Sequence, residues 1–274
     1  MELRWEGSLA LDIIRRIISQ SPYPEVQTEI ARRCAEAIGL HLIMLILTAS
    51  DANLRGRHSC ALALFRGMED ALDCFAAVSL IPGAAEKWAR GKFRASDAAR
   101  LWEDKLGDIV LPTGEKAIEY RKTLRSYFNN FAHCSPYLTD WNIYPELDSR
   151  EILAPHKNLK AELRLNHEMK ILEQNALRIG AFLAAHTLEF ISVVEMAYKK
   201  FLTRNPDLKG ELSGIRRRLT DLFEKEFGAV NLEDRPPELK QVVVWHPTNR
   251  KLMKLLPISF NRDGENDTTA DNSG

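Results

Sequence analysis

Cysteine is scarce in this chain and poorly placed for chemistry. The four thiols, Cys34, Cys60, Cys74 and Cys134, lie far apart, and no two form a Cys-x-x-Cys pair. That spacing argues against zinc ribbons and thioredoxin-like redox motifs. Three of them fall in apolar helical patterns, where buried free thiols are expected, a usage that fits a reducing cytoplasm. Charge of one sign is missing too. The 38 Lys and Arg balance 38 Asp and Glu, so no overall field draws in DNA or an acidic membrane, and any nucleic-acid contact needs a local patch. There is no phosphate-binding glycine loop, no His-Glu-x-x-His helix and no nucleophile elbow. No metal site and no cofactor are therefore expected. Met1 to Gly7 is polar and charged, and no small-residue cleavage site follows the next apolar run, so no secretion signal is expected. The most hydrophobic run, AIGLHLIMLILTA from Ala37 to Ala49, falls short of the about 20 residues that span a bilayer. It also contains His41, and it reads as a buried core helix.

What is present is helical periodicity. The 274 residues carry 45% hydrophobic and 28% charged side chains, ordinary for one large globular domain with an appendage. Ser8 is placed to cap a first helix bearing Ile13, Ile14, Ile17 and Ile18 on one face. Ser21 to Pro24 ends it, and a second helix is expected from Pro24 to about Ala49. A third covers Arg57 to Leu80, with Ala61, Phe65, Met68, Leu72 and Phe75 along one side. Short helices follow at Ala84 to Phe93 and Asp97 to Leu106, the latter capped by Ser96. Another, capped by Thr113, runs to His133. Pro136 to Pro155 has the composition of an ordered loop. A very long helix is expected from Asn166 to Leu202 and a last one from Asp207 to Phe227. The expected fold is all-α, a multi-helix bundle over residues 1–228. It is followed by a C-terminal extension over 229–260, with one strand candidate at Gln241 to Trp245, and a disordered tail over 261–274.

Two polar constellations stand out from this bundle. Arg121, Arg125, Asn129 and His133 recur every four residues, so on a helix they form a slanted stripe. A histidine moves protons and an arginine holds a phosphate through two hydrogen bonds. Together, His133 as acid/base and Arg125 as phosphate clamp suffice in principle for metal-independent RNA cleavage. The plainer reading is a solvated face opposite Phe128 and Phe131. The second constellation is Arg66, Glu69, Asp70 and Asp73, set in an Ala- and Leu-rich helix where charges are expected to be paired or to line a pocket. Its acids could orient His133 if the two helices pack together. His41, His58 and His186 sit singly in helical patterns, where a structural role is the commoner one. Arg216, Arg217 and Arg218 make a short basic patch followed closely by acids.

The segments CALALFRGMEDALDCFAAVSLIPGAAEKWARGKF (Cys60 to Phe93) and YRKTLRSYFNNFAHCSPYL (Tyr120 to Leu138) resemble paired helices of bacterial proteins related to the HEPN (higher eukaryotes and prokaryotes nucleotide-binding) superfamily. The resemblance covers about half of the expected helical core. It implies an all-α cytoplasmic protein, acting on RNA or a nucleotide in stress or phage defence, and a homodimer. It places Arg66 and Asp70 at the arginine and acid positions that would organise a pocket, and His133 at the terminal histidine; Arg121 and Asn129, from the stripe, are expected to add to that binding site. His133 follows Arg125 by eight positions, wider than the spacing in active members, and Asp70 stands where Glu is usual. The rival expectation is a non-catalytic interaction module in which an Arg-Asp-His network is structural.

Overall fold

The computed structural model describes residues 2–21, 23–106, eight positions between 122 and 133, 159–223 and 225, together with two short strands at 243–246 and 251–254. The expected helix start at Thr113, the loop from Pro136 to Pro155 and the tail lie outside the described residues. The fold is all-α. Helix α1 spans Glu2–Gln20, α2 Glu29–Leu54, α3 His58–Leu80, α4 Ala84–Ala89, α5 Ala95–Leu106, α6 Leu159–Ala197, α7 Lys199–Arg204 and α8 Pro206–Phe223. Described residues from 122 to 132 are helical as well.

Several boundaries differ from the sequence reading, each for a local reason. Helix α1 begins six residues before Ser8, because Leu3 continues the apolar phase of Ala10, Ile14 and Ile17 and is buried with them. Helix α2 starts after Thr28, not at Pro24: the Thr28 hydroxyl accepts from the Ala31 amide at 3.1 Å, satisfying a donor that a first turn leaves open. It also runs on to Leu54. Helix α4 stops at Ala89, and Gly91 follows at φ 65°, a backbone state that glycine adopts at little cost. Ser96 lies inside α5. The capping contact there comes from Asp97, whose carboxylate accepts from the Arg94 amide at 3.0 Å. The long helix expected to reach Leu202 breaks at Tyr198 into α6 and α7.

The core is built on α3. Helix α2 lies along it, α5 and α6 pack on its other sides, and α1 joins α2, α6 and α8. Gly39 lets α2 approach closely, since a Cβ there would meet Ile18 Cδ1 at 2.6 Å and Phe75 at 3.1 Å. Phe65, Phe75, Phe128, Phe190 and Phe223 are fully enclosed. Burial of an aromatic side chain of this kind contributes about 2–3 kcal/mol. The strand candidate is found as Val243–His246, and it has an antiparallel partner, Lys251–Lys254, in register Val243 with Lys254. That second strand escaped the sequence reading because Lys-Leu-Met-Lys does not alternate.

Helices α2 and the 175–197 part of α6 are long and apolar enough to cross a membrane, each with a mean hydropathy of 1.5. Core helices meet the same test. The α6 window is 67% buried in the bundle, but the α2 window only 33%, so the expectation that Ala37 to Ala49 is a buried core run holds for one side of α2 alone.

Candidate functional site

Arg66, Glu69, Asp70 and Asp73 follow the i, i+3, i+4, i+7 spacing of one helix face, and on α3 that face points into the bundle. Glu69 is 3% exposed and Asp73 1%. Carboxylates are rarely enclosed to this degree unless paired. Arg66 Nη1 approaches Asp70 Oδ1 at 2.7 Å within the same helix. Arg125 reaches across from the 122–132 segment to form an ion pair with Asp73. His186 of α6 meets Glu69 Oε1 through Nε2 at 2.9 Å.

The histidine is fixed on both sides. Its Nδ1–H donates to the Phe182 carbonyl at 2.7 Å, so the Nε2 contact needs a proton as well. Burial pulls the imidazole pKa down, but the hydrogen bond and charge of Glu69, aided by Glu189 and the Phe182 carbonyl, outweigh it. The net shift is upward, so the site favours the protonated imidazole beside the Glu69 carboxylate. Phe65, Phe128 and Phe182 surround the ring, with Phe65 stacked on Phe128 at 5.0 Å and each of these two within 5.9 Å of the imidazole.

For Asp70 and Arg125, by contrast, burial dominates. It pushes Asp70 up, against the pull of Arg66 and Arg125. It pushes Arg125 down, helped by repulsion from Arg66 and opposed by Glu69, Asp70 and Glu189.

The expected stripe is therefore split. Arg125 turns inward and its side chain is only 14% exposed. Asn129 is half-buried, while His133 is exposed at the end of the helical segment. Arg121 lies outside the described residues. Arg66 and Asp70 are together within α3, as their four-residue spacing predicts. The imidazole that α3 holds is that of His186, not His133. His186 had no local signal beyond its single occurrence on an apolar helix, and its partner lies 117 positions away.

The basic patch is also divided. Arg216 pairs with Glu195, and Arg218 with Glu6 at 3.1 Å. Cys34 and Cys74 are buried free thiols, whereas Cys60, expected to be buried, is exposed. Burial raises both buried thiols, Cys74 to about 11 with a further push from Asp70. Among the described residues no cluster of three His, Cys, Asp or Glu side chains has the geometry to hold a metal ion.

No protein-family model, curated protein or solved structure matches this chain.

Proposed function

We propose that this chain is a HEPN-like helical binding module in which the arginine, carboxylate and histidine cluster is a structural network, not the centre of a ribonuclease. The pairing of Arg125 with Asp73 carries this reading. A phosphate clamp needs a guanidinium with its hydrogen-bonding edge open to substrate. Here that edge faces the buried Asp73 carboxylate, and Glu69 and Asp70 also act on the same guanidinium. Stabilising a developing phosphoryl charge requires a cation that no carboxylate already engages. The neutralised Arg216 and Arg218 further weaken any local attraction for RNA.

Exposed apolar side chains support a binding role. Leu47 and Leu177 are exposed and lie together along one cavity with Leu3, Ile46 and Leu183, a contiguous apolar surface of the kind that marks interaction sites. The three described cysteines are free, which supports a reducing compartment such as the cytoplasm.

One observation favours the rival reading, an endoribonuclease: His133 is exposed and within reach of a substrate. The deciding experiment incubates total RNA and tRNA with the full chain in chelator, alongside His133→Ala. No cleavage by either protein is expected. Cleavage by the wild type that disappears in His133→Ala would overturn the binding reading.

A further inference from the structure

Helix α2 has two faces of different fate. Cys34, Ile38, Leu42, Ile46 and Ala49 are buried against the bundle. On the opposite side, Ala37, Met44, Leu47 and Thr48 are exposed, with Leu40 half-buried between them. At about 100° per residue these five fall within one stripe about 100° wide. Met44 is 60% exposed and Leu47 40%. The Thr48 hydroxyl in the stripe is already satisfied, because it donates to the Met44 carbonyl at 2.7 Å, and the exposed His41 borders the stripe beside it. Covering the stripe would leave that hydroxyl without a desolvation penalty.

The ends of the stripe say what covers it. Arg33 and Asp51 lie 18 positions apart (51 − 33), which is about five complete turns, so they share one azimuth with the apolar stripe between them over about 27 Å. Both are exposed, Arg33 at 74% and Asp51 at 55%. Each belongs to a local pair of opposite charges: Arg33 with Glu29 at 2.8 Å, and Arg55 with Asp51 at 2.7 Å. We propose that the exposed α2 stripe is a self-association face, on which a second copy of this chain lays its own α2 antiparallel about a two-fold axis level with Leu42. In that arrangement Arg33 of each copy meets Asp51 of the other, at both ends at once. The local pairs become two four-membered networks, Glu29, Arg33, Asp51 and Arg55. Met44, Leu47 and Leu40 fill the middle at the spacing of about 8–10 Å that packed helices adopt. A two-fold contact must be complementary to itself, and Glu29 and Arg33 at one end opposite Arg55 and Asp51 at the other, across an apolar centre, meet that condition in the antiparallel sense.

A lipid surface fits less well. Helices that lie on membranes present lysines and arginines to anionic headgroups, whereas each end of this stripe carries one acid and one base. The inference goes beyond the binding reading and does not rest on it: RNA cleavage would overturn that reading, and a monomeric chain would overturn this one.

The test is sedimentation velocity of the full chain at micromolar concentration. The wild type is expected to be a dimer. Arg33→Asp and Asp51→Arg should each weaken it by about tenfold or more, because like charges then face each other at both ends. The double reversal should restore it, and Met44→Asp should give monomer. Unchanged circular dichroism melts would show that each variant folds. Both reversals place charges that suit the helix dipole, so folding is not expected to suffer. A wild type that is monomeric at every concentration overturns the inference. So does a dimer indifferent to both single reversals, or a double variant that fails to restore it. Met44-dependent binding to phosphatidylserine vesicles without a dimer in solution would assign the stripe to membrane and also overturn it.

Discussion

Replacing His186 by leucine isolates the central claim about the polar cluster. The substitution keeps an apolar side chain of similar bulk among Phe65, Phe128 and Phe182, but leaves Glu69, 3% exposed, without the imidazolium at 2.9 Å. Breaking one partner out of a buried pair costs about 3–5 kcal/mol, while replacing both by apolar groups is often neutral or stabilising. His186→Leu should therefore lose about 3–5 kcal/mol in urea unfolding followed by circular dichroism. The double variant Glu69→Leu, His186→Leu should recover most of that loss. The pH dependence has a fixed sign. The folded pKa of His186 is raised, so its contribution is fully present below the unfolded value of about 6.5. It is lost as pH rises through the folded value. Wild-type stability should fall across that window, and the double variant should lack this component. A His186→Leu cost below about 1 kcal/mol would refute the reasoning, since it would mean that the buried Glu69 does not depend on the imidazole.

Three further outcomes follow from the same geometry. Arg125→Ala strips the nearly inaccessible Asp73 of its ion pair and should cost about 3–5 kcal/mol in the same urea assay, whereas His133→Ala, at an exposed helix end, should leave the unfolding midpoint unchanged. Phe128→Ala should lose about 3–5 kcal/mol and detach the 122–132 segment from α3, read as faster amide exchange at described positions such as Asn129. In native protein, a thiol reagent should modify Cys60 rapidly and leave Cys34 and Cys74 slow, because burial both shields those thiols and raises their pKa; equal rates would contradict the packing of α2 and α3.

What was legible in the sequence was whatever depends on neighbours within a few turns. The 3.6-residue recurrence of Ala61, Phe65, Met68, Leu72 and Phe75 was enough for α3 and its core face, because the hydrophobic effect acts on each helix according to its own pattern. The spacing of Arg66 and Asp70 was enough for their intrahelical contact. Helix ends were less legible: the second helix begins after Thr28 and not at Pro24, and Asp97 makes the capping contact expected of Ser96, since several short polar residues compete for each first turn and packing settles the choice.

The functional cluster was decided by tertiary structure alone. Arg125 looked like part of a wet stripe with His133, yet Asp73 of α3 draws it inward, because an enclosed carboxylate needs a cation more than solvent does. His186 looked solitary, and only the crossing of α3 and α6 brings it to Glu69. The apolar character of α2 was plain from composition. Which side of it faces the core and which faces outward became clear only when α3 had claimed one of them, because a helix hydrophobic around most of its circumference carries no mark of which face its own bundle will bury.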